Sequence, residues 1–402
     1  MENKTNSQMT MQETDIIVVG AGLVGLAAAI TFAQQGKSVV LIDAKKTEIE
    51  KPDFTKKQRW DPRIYALTPA TENWLKALGV WQRVDAARVN DIHAMHLWND
   101  DATSPLILAD SDANLLKLGV IVENFNLMHA LRAMLDAASG AVLKTASCKS
   151  IKNSAQHICL TLDDDRQISA KLLVAADGAH SFVRQRMNIT TKHKDFNQTA
   201  IVANFLAEKS HHNVARQWFA SHETLALLPL PEKHVSTVWS LSTERAAELL
   251  LFTPQQLLEV VRIRSNDCLG ELELVGEVHS FPLGQATAAQ LIAERVVLVG
   301  DAAHQIHPMA GQGVNLGFRD VIEVQKLLAK AHALQDIGEF TFLRQYERAR
   351  KADVAGMKGL TSSLDALFAN EQNLVKKLTN FGMQQLNRQS LMKKILIQQA
   401  VA

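Results

Sequence analysis

The 402-residue chain has only three cysteines, Cys148, Cys159 and Cys268, and no two of them form a CxxC pair. This set lacks the spacing of a structural zinc site and is too small for a disulfide framework. A few unpaired thiols are typical of proteins in a reducing compartment. The cysteine content therefore argues against a zinc module and predicts a cytoplasmic protein.

Net charge and aromatic content are both low. The chain has 43 basic and 42 acidic residues, a formal net charge of +1, and only 5% aromatic residues. Proteins that bind nucleic acid usually present a basic surface, and single-strand binders add aromatic side chains for base stacking. We therefore expect no nucleic-acid partner.

Long hydrophobic runs are also missing. The most apolar stretch, residues 16–30, contains three glycines and is too short for a membrane span. Residues 1–13 are polar and lack the apolar segment of a secretory signal, which predicts a disordered leader. With 47% hydrophobic residues, the chain can nevertheless bury a large core.

A βαβ pattern occupies the first part of the chain. Residues 15–19 form a β-branched run, residues 26–35 predict a helix, and residues 38–42 predict a second strand. A continuous apolar strand pattern is typical of a parallel strand that is buried on both faces. The order of these elements predicts the start of a doubly wound α/β sheet.

The turn between the first strand and the helix has the GxGxxG pattern. Gly20 allows a tight turn, Gly22 allows the backbone to approach a pyrophosphate, and Gly25 allows close packing of the helix on the strand. Asp43 ends the second strand, where an acidic residue can accept hydrogen bonds from a ribose. These residues predict a dinucleotide site, although the motif does not distinguish FAD from NAD.

A second glycine-rich segment follows another buried-strand pattern, residues 295–299. Gly300 and Asp301 end that strand, and a helix is predicted from about Val314 to residue 331. Asp301 is placed to accept hydrogen bonds from ribityl hydroxyls. The N-terminus of the following helix favours negative charge on a flavin ring.

The same segment contains the HxxH pair His304 and His307. A lone HxxH pair without acidic residues or cysteines at ligand spacing is a weak metal signal. We therefore expect no metal ion at this position.

Two shorter segments lie between the glycine-rich ones. Residues 171–186 predict a strand, a turn at Asp177 and Gly178, and a helix in which Arg184 and Arg186 are expected to be solvated. Residues 60–68 predict a turn into a helix that stops at Gly79. Arg63 in that turn has two open readings, a contact with a flavin or its phosphates and a structural ion pair.

Together, these motifs resemble those of flavin-dependent aromatic hydroxylases of the p-hydroxybenzoate hydroxylase type. The resemblance covers residues 14–350 and rests on the order of the GxGxxG turn, the central Asp-Gly pair and the Gly-Asp segment with its His-Pro and Gly-Gln-Gly extension. Residues 61–67, 122–124, 225–230 and 300–317 also look like the ubiquinone-biosynthesis branch. The chain departs from that branch at Glu223 and Thr224, where Gly-Pro is frequent, and at Met128, where Gln is frequent.

The resemblance implies an α/β fold, in which a Rossmann-like FAD-binding domain carries an inserted antiparallel-sheet substrate domain and is followed by C-terminal helices. The alternating pattern of residues 193–281 agrees with such a sheet. The expected boundaries are residues 14–85, 119–192 and 282–350 for the FAD-binding domain, 86–118 and 193–281 for the substrate domain, and 351–402 for the C-terminal helical region.

The resemblance also implies the chemistry. NAD(P)H would reduce FAD, and dioxygen would form a flavin C4a-hydroperoxide that hydroxylates the ring of a polyprenylated phenol. Because the flavin carries this chemistry, no catalytic side chain is expected. A second βαβ unit with a GxGxxG turn is missing, so NAD(P)H is expected to bind only transiently.

The expected site residues fall into two groups. The residues that would border the flavin ring are Pro308, Gly311, Gln312 and Gly313. The residues that would bind the cofactor are Gly20, Gly22, Gly25, Asp43, Arg63, Asp177, Gly178, Gly300, Asp301, Pro308, Gly311, Gly313, Val314 and Asn315.

Two other functions stay open from the sequence. One is hydroxylation of a different aromatic compound, and the other is a flavin-binding assembly factor in a quinone-biosynthesis complex. Residues 363–402 predict helices that mix apolar residues with Lys376, Lys377, Arg388, Lys393 and Lys394. Such helices form either a docked cap or a basic surface for a partner protein or for peripheral contact with the inner membrane.

Overall fold

A computed structural model describes residues 11–45, 60–99, 104–221, 223–305, 313–368, 380 and 382–401. Its helices are α1 (Leu23–Gln34), α2 (Pro69–Ala77), α3 (Asn124–Ala137), α4 (Phe182–Arg186), α5 (Thr243–Leu250), α6 (Pro254–Arg264), α7 (Gly313–Ala329), α8 (Phe340–Phe368) and α9 (Ser390–Val401). Its strands are β1 (Gln12–Val19), β2 (Val39–Asp43), β3 (Ile64–Leu67), β4 (Val89–Ile92), β5 (Ala94–Asn99), β6 (Leu106–Ala109), β7 (Gly119–Glu123), β8 (Ala141–Thr145), β9 (Cys148–Asn153), β10 (Ile158–Leu162), β11 (Gln167–Ala175), β12 (Thr191–Ala207), β13 (Val214–Ala220), β14 (Glu223–Pro229), β15 (His234–Ser242), β16 (Leu272–Ala288), β17 (Ile292–Ala293), β18 (Val296–Leu298) and β19 (His304–Gln305).

The first sheet has a parallel centre in the order β18-β11-β1-β2-β8. Its β1 residues 16–19 are buried, as the β-branched run predicted, and the β11 residues 172–175 are buried as well. Helix α1 packs against this sheet and contacts α3 and α7. The predicted βαβ unit is confirmed, although α1 begins at Leu23, three residues earlier than expected, because the chain turns into the helix directly after Gly22.

The second sheet has the order β19-β16-β12-β15-β14-β13-β5-β6 and is antiparallel except where β5 pairs with β13. Helices α5 and α6 cover one of its faces. The core under these helices contains Phe205, Trp218 and Trp239. This sheet confirms the antiparallel part of the predicted fold, with the Rossmann-like sheet beside it.

A third, smaller sheet has the order β3-β7-β4. Residues 64–67, predicted as part of a turn, form strand β3 and pair with residues 120–123 of β7. The prediction of a turn was wrong here, because pairing with a strand that is distant in sequence decided the backbone conformation. Local sequence does not show such a pairing. Only the next segment, α2, is the expected helix, with Pro69 at its first position and Thr68 as its N-cap.

Helix α9 docks on residues of the second and third sheets. Its Ile397 belongs to an apolar cluster with Ile92, Ile121 and Leu230. Lys393 is buried and pairs with Asp112, which agrees with a docked cap, one of the two possibilities that the sequence left open, and removes Lys393 from a basic surface. The predicted basic residues Lys376 and Lys377 lie outside the described residues. Within the described chain, no helix is long and apolar enough to span a bilayer.

Candidate active site

The three sequence motifs meet at one edge of the parallel sheet. Strands β1, β11 and β18 are adjacent and parallel, with Val19 opposite Ala175 and Ala175 opposite Leu298. The GxGxxG turn, the Asp177 turn and the Gly300 turn each follow the carboxyl end of one of these strands. In open α/β sheets this edge is the usual ligand-binding position.

Close backbone contacts fix the GxGxxG turn in place. Gly20 has a φ of +100°, and a Cβ atom on it would lie 2.4 Å from the Ala176 carbonyl oxygen. A Cβ atom on Gly25 would lie 1.8 Å from the Gly20 oxygen. Side chains are therefore excluded at Gly20 and Gly25 by the protein itself.

Gly22 differs from these two glycines, since a Cβ atom on it would have no neighbour within 4 Å. Gly22 is the N-cap of α1, which has no side-chain cap and no acidic residue in its first turn. Unsatisfied N–H groups at a helix N-terminus form an anion-binding site. The loop thus provides free donors and open space, which is what a pyrophosphate requires.

Asp43 lies beside this turn and has a structural role that the sequence did not indicate. One carboxylate oxygen accepts a hydrogen bond from the Ala21 N–H at 2.6 Å, and the other accepts one from the Lys45 N–H at 2.8 Å. Each carboxylate oxygen has a further lone pair. Asp43 therefore shapes the glycine turn and keeps acceptor capacity for a ligand hydroxyl.

The central turn contains an unpartnered polar atom. Asp177 Oδ2 accepts a hydrogen bond from the Val183 N–H at 3.1 Å, whereas Oδ1 is buried without a hydrogen-bond partner. Burial raises the pKa of this carboxyl above its ordinary value. Gly178 has a φ of +81° and open space where a Cβ atom would lie. A ligand donor at this position would satisfy Asp177.

Asp301 keeps an exposed surface although protein surrounds it on most sides. Burial raises the pKa of its carboxyl, whereas the charges of His304 and Arg63 act to lower it. The Arg63 guanidinium lies 5.3 Å from the centre of the Phe281 ring. Arg63 forms no ion pair with another described residue, so the structural ion pair considered from the sequence is not observed there.

The segment that was expected to border a flavin ring is only partly described. Pro308, Gly311 and Gln312 lie outside the described residues. Gly313 is the first residue of α7, with open space where a Cβ atom would lie, and Val314 is half-buried against the core.

The side chain of Asn315 is used within the protein. Its Nδ2 donates to the Ala66 carbonyl at 2.8 Å, and its Oδ1 accepts from the Thr68 N–H at 3.1 Å. Asn315 therefore joins α7 to β3 and to the start of α2 through its side chain.

Asp320 is a central residue of the site that the sequence analysis missed. It is fully buried on α7, and its carboxylate accepts hydrogen bonds from the Gly300 N–H at 2.8 Å and from Arg350 Nε at 2.6 Å. His304 Nε2 lies 2.8 Å from the same carboxylate. The signal in the sequence was an acidic residue on the otherwise apolar face that includes Leu316, Val321 and Val324.

One prediction about a charged residue changes with the structure. Arg184, expected to be solvated, is buried and donates to the carbonyls of Ala302 at 2.9 Å and Ala179 at 2.6 Å. It therefore ties the central turn to the second glycine segment. His304 is engaged by Asp320, and no potential metal-binding cluster occurs in the described part of the chain.

The two departures from the ubiquinone-biosynthesis pattern have structural positions. Met128 is half-buried against the main core. Glu223 accepts hydrogen bonds from Trp239 Nε1 and from Arg264 Nε, both at 2.8 Å, and so links β14 to β15 and α6.

A cavity of about 420 Å³ lies beside the central turn. Its lining includes His180, Arg184, Gln185, His193 and Gln305. The remaining lining residues include the apolar Ile189 and Ala286, so the cavity combines polar and apolar walls.

Comparison with known proteins places these features in a family. Residues 13–358 match the family model described as FAD binding domain. The chain is 31% identical to the human mitochondrial ubiquinone biosynthesis monooxygenase COQ6, over 94% of this chain and 90% of that protein. It is also 31% identical to the 3-demethoxyubiquinol 3-hydroxylase of Escherichia coli K12, over 98% of this chain and 100% of that protein.

A solved structure shows a similar fold. The crystal structure of PqsL, a probable FAD-dependent monooxygenase from Pseudomonas aeruginosa, superposes with a TM-score of 0.74 at 21% identity and covers 92% of this chain and 100% of that chain.

Proposed function

Because the chain belongs to the FAD-binding-domain family of flavin-dependent monooxygenases, we propose that it hydroxylates the aromatic ring of a polyprenylated phenol in ubiquinone biosynthesis. The co-substrates would be dioxygen and NAD(P)H. The observation that carries the proposal is the identity of about 31% to two ubiquinone hydroxylases over nearly the whole chain.

The residues at the sheet edge fit FAD. Free N–H groups and open space at Gly22 suit its pyrophosphate, and the spare acceptor capacity of Asp43 suits its ribose. The unpartnered Asp177 Oδ1 needs a donor, and the accessible Asp301 carboxyl suits ribityl hydroxyls. We assign these residues to cofactor binding on that basis.

Bound FAD supplies the redox chemistry with NAD(P)H and dioxygen, so the side chains have to bind, orient and exclude water. Asp320 and Arg350 hold the Gly300 turn in one conformation, and the N-terminus of α7 favours negative charge beside Gly313. No described side chain has to act as a nucleophile.

We place the transient reductant at the cavity beside the central turn. The phosphates of NAD(P)H are anionic, and His180, His193 and Arg184 line that cavity. The cavity adjoins Asp177 and Gly178 through Ala179, so a reductant bound there would lie next to the proposed cofactor.

A lipid-tailed substrate favours peripheral contact with the inner membrane or with other quinone-biosynthesis proteins. Helix α9 supports membrane contact, since Leu391, Met392 and Ile395 are exposed on it beside Lys394. Cosedimentation with anionic vesicles tests this. A Leu391→Gln and Ile395→Gln double variant that still cosediments as well as the wild type would contradict it.

The function is tested with purified, FAD-loaded protein, 2-farnesylphenol and ¹⁸O₂. We expect oxygen-dependent NAD(P)H oxidation and a product that contains one ¹⁸O atom. In a deletion strain, a prenylated phenol precursor should accumulate. Normal quinone without an accumulated precursor would contradict the proposal, and full complementation by an Asp301 variant that does not bind FAD would favour the assembly-factor alternative.

A further inference from the structure

Two buried polar side chains lie opposite each other on the second sheet without hydrogen-bond partners. Asn204 on β12 is directly opposite Ser236 on β15. Asn204 is 3% exposed and Ser236 is 0% exposed. Neither Asn204 Oδ1 nor Ser236 Oγ has a hydrogen-bond partner. Such atoms destabilise a fold unless something satisfies them.

The face on which the pair lies follows from the strand alternation. Ala203 and Phe205 flank Asn204, and Val235 flanks Ser236; these residues belong to the core under α5 and α6. Because successive side chains in a strand point to opposite faces, Asn204 and Ser236 lie on the face away from those helices. Asn204 and Ser236 are therefore not part of the core that α5 and α6 cover.

This face leads to the proposed flavin site. Ala200 lies on the same face, four residues before Asn204, and is opposite Phe281. The Phe281 ring contacts Arg63, whose charge acts on Asp301. At about 3.4 Å per residue, Asn204 lies roughly 14 Å along the strand from that end. The pair thus shares a sheet face with Phe281, whose ring contacts Arg63 beside the proposed cofactor site.

Apolar residues lie between these points. Val202 and Val238 are opposite each other, and Val238 is also opposite Ala226. Leu228, opposite Ser236, belongs to the apolar cluster that includes Ile64 and Ala66 of β3. The face therefore combines apolar residues with polar ones such as Ser240, which is opposite Ala200. Among its described residues, Asn204 and Ser236 have the buried, unpartnered oxygens, and such a pair suits an aromatic ring that carries a single hydroxyl group.

We propose that Asn204 and Ser236 bind the hydroxyl group of the phenolic substrate and so set the position of its ring. The phenol O–H donates to Asn204 Oδ1, and the phenol oxygen accepts from the Ser236 hydroxyl. A phenol oxygen can donate one hydrogen bond and accept another. The Cβ atoms of directly opposite residues such as Asn204 and Ser236 are about 5 Å apart, so one phenol oxygen can reach both side chains. The inference rests on the proposed function, because it concerns how that substrate is recognised.

The test compares Asn204→Leu and Ser236→Ala holoenzymes with the wild type. The probes are 2-farnesylphenol and its methyl ether, which lacks the O–H donor. Flavin fluorescence measures the dissociation constants of the two probes, and substrate-dependent NAD(P)H oxidation measures KM and kcat. Thermal melts without substrate measure the Tm of each protein. We expect each variant to raise Kd and KM for the phenol about three- to tenfold, while the Tm stays unchanged or rises.

The methyl ether separates the two roles. The wild type should bind it about three- to tenfold more weakly than the phenol, since the bond to Asn204 is lost. Asn204→Leu should bind phenol and ether equally, whereas Ser236→Ala should weaken both. The inference would be overturned if the variants bound the phenol as tightly as the wild type does. It would also be overturned if a lowered Tm were the only change in the variants.

Thr237 provides a matched control. It is 2% exposed and its hydroxyl is also unpartnered, but it lies on the α5 and α6 face. Thr237→Val should therefore leave both affinities unchanged, and a loss equal to that of Ser236→Ala would count against recognition by the pair. A wild-type enzyme that neither binds nor hydroxylates 2-farnesylphenol would overturn the proposed function and this inference with it.

Discussion

The carboxylate of Asp320 accepts a hydrogen bond from the Gly300 N–H at 2.8 Å, 20 residues earlier in the chain. The same carboxylate binds Arg350 and His304. One buried acid on α7 therefore holds the turn from which Asp301 projects, and it links that turn to α8. The proposed flavin site therefore depends on this residue for the conformation of the Gly300 turn.

We expect Asp320→Ala to be among the most damaging single changes. Removing one partner of a buried ion pair leaves Arg350 uncompensated, which costs about 3–5 kcal/mol. Chemical denaturation and FAD titration should show a large loss of stability and of cofactor affinity. Asp353→Ala, at the half-exposed end of the same network, should cost much less. Equal losses in the two variants would contradict a special role for Asp320.

The two glycines at the start of α1 should respond differently to alanine. Gly22→Ala meets no atom within 4 Å, so the FAD-free protein should keep its Tm while FAD affinity falls at least about tenfold, because the Cβ atom blocks the approach of the pyrophosphate. Gly25→Ala places an atom 1.8 Å from the Gly20 oxygen and should lower the Tm itself. Thermal melts with and without FAD distinguish the two. A Gly22→Ala protein with normal FAD affinity would refute the assignment.

Asp301→Asn should have opposite effects on stability and on cofactor binding. Burial raises the pKa of Asp301 above its ordinary value of 3.8. The protonated carboxyl therefore contributes its full stability to the fold below pH 3.8, and this contribution is lost as the pH rises through the pKa of the folded protein. The FAD-free variant should therefore be more stable than the wild type near pH 7, and this gain should vanish below about pH 4. FAD affinity should fall about tenfold or more, since hydrogen bonds to a charged acceptor are lost.

Melting curves from pH 3 to pH 8 check the first part and fluorescence titration checks the second. A stability difference that does not change with pH would contradict the proposed environment of Asp301.

Lys393→Ala should release α9 from the second sheet. Lys393 Nζ lies 2.7 Å from the Asp112 carboxylate and donates to the Ile107 carbonyl at 3.2 Å. Losing this half-buried pair should make residues 390–401 more sensitive to limited proteolysis, with a stability loss of about 1–3 kcal/mol. Lys394→Ala, one residue further along, should behave like the wild type. Cleavage at equal rates in both variants would show that apolar packing alone holds α9.

Much of the fold and of the candidate site follows from local patterns. The apolar runs that become β1, β11 and β18 lead into their glycine or Asp-Gly turns, and parallel strands place their carboxyl ends at one edge. This geometry predicts that Gly20, Asp177 and Gly300 meet, as they do. Alternation of apolar and polar residues likewise predicts the antiparallel sheet.

Other features required the tertiary structure. Residues 64–67 form a strand because β7 supplies a partner, and Arg184 is buried because the carbonyls of Ala179 and Ala302 converge on it. Asn315 acts as a structural link since Ala66 and Thr68 lie within hydrogen-bond distance. In each case the partner is distant in sequence, so no local pattern marks the contact.

The sequence by itself therefore determined the class of the protein, because glycine spacing and strand burial are local consequences of steric limits on the backbone. The tertiary structure decided which polar groups are satisfied and which are left over. Asp320 is buried with three partners, whereas Asn204 and Ser236 are buried with unpartnered oxygens. That difference arises from long-range packing, since the cost of burying a polar atom depends on what the rest of the chain places beside it.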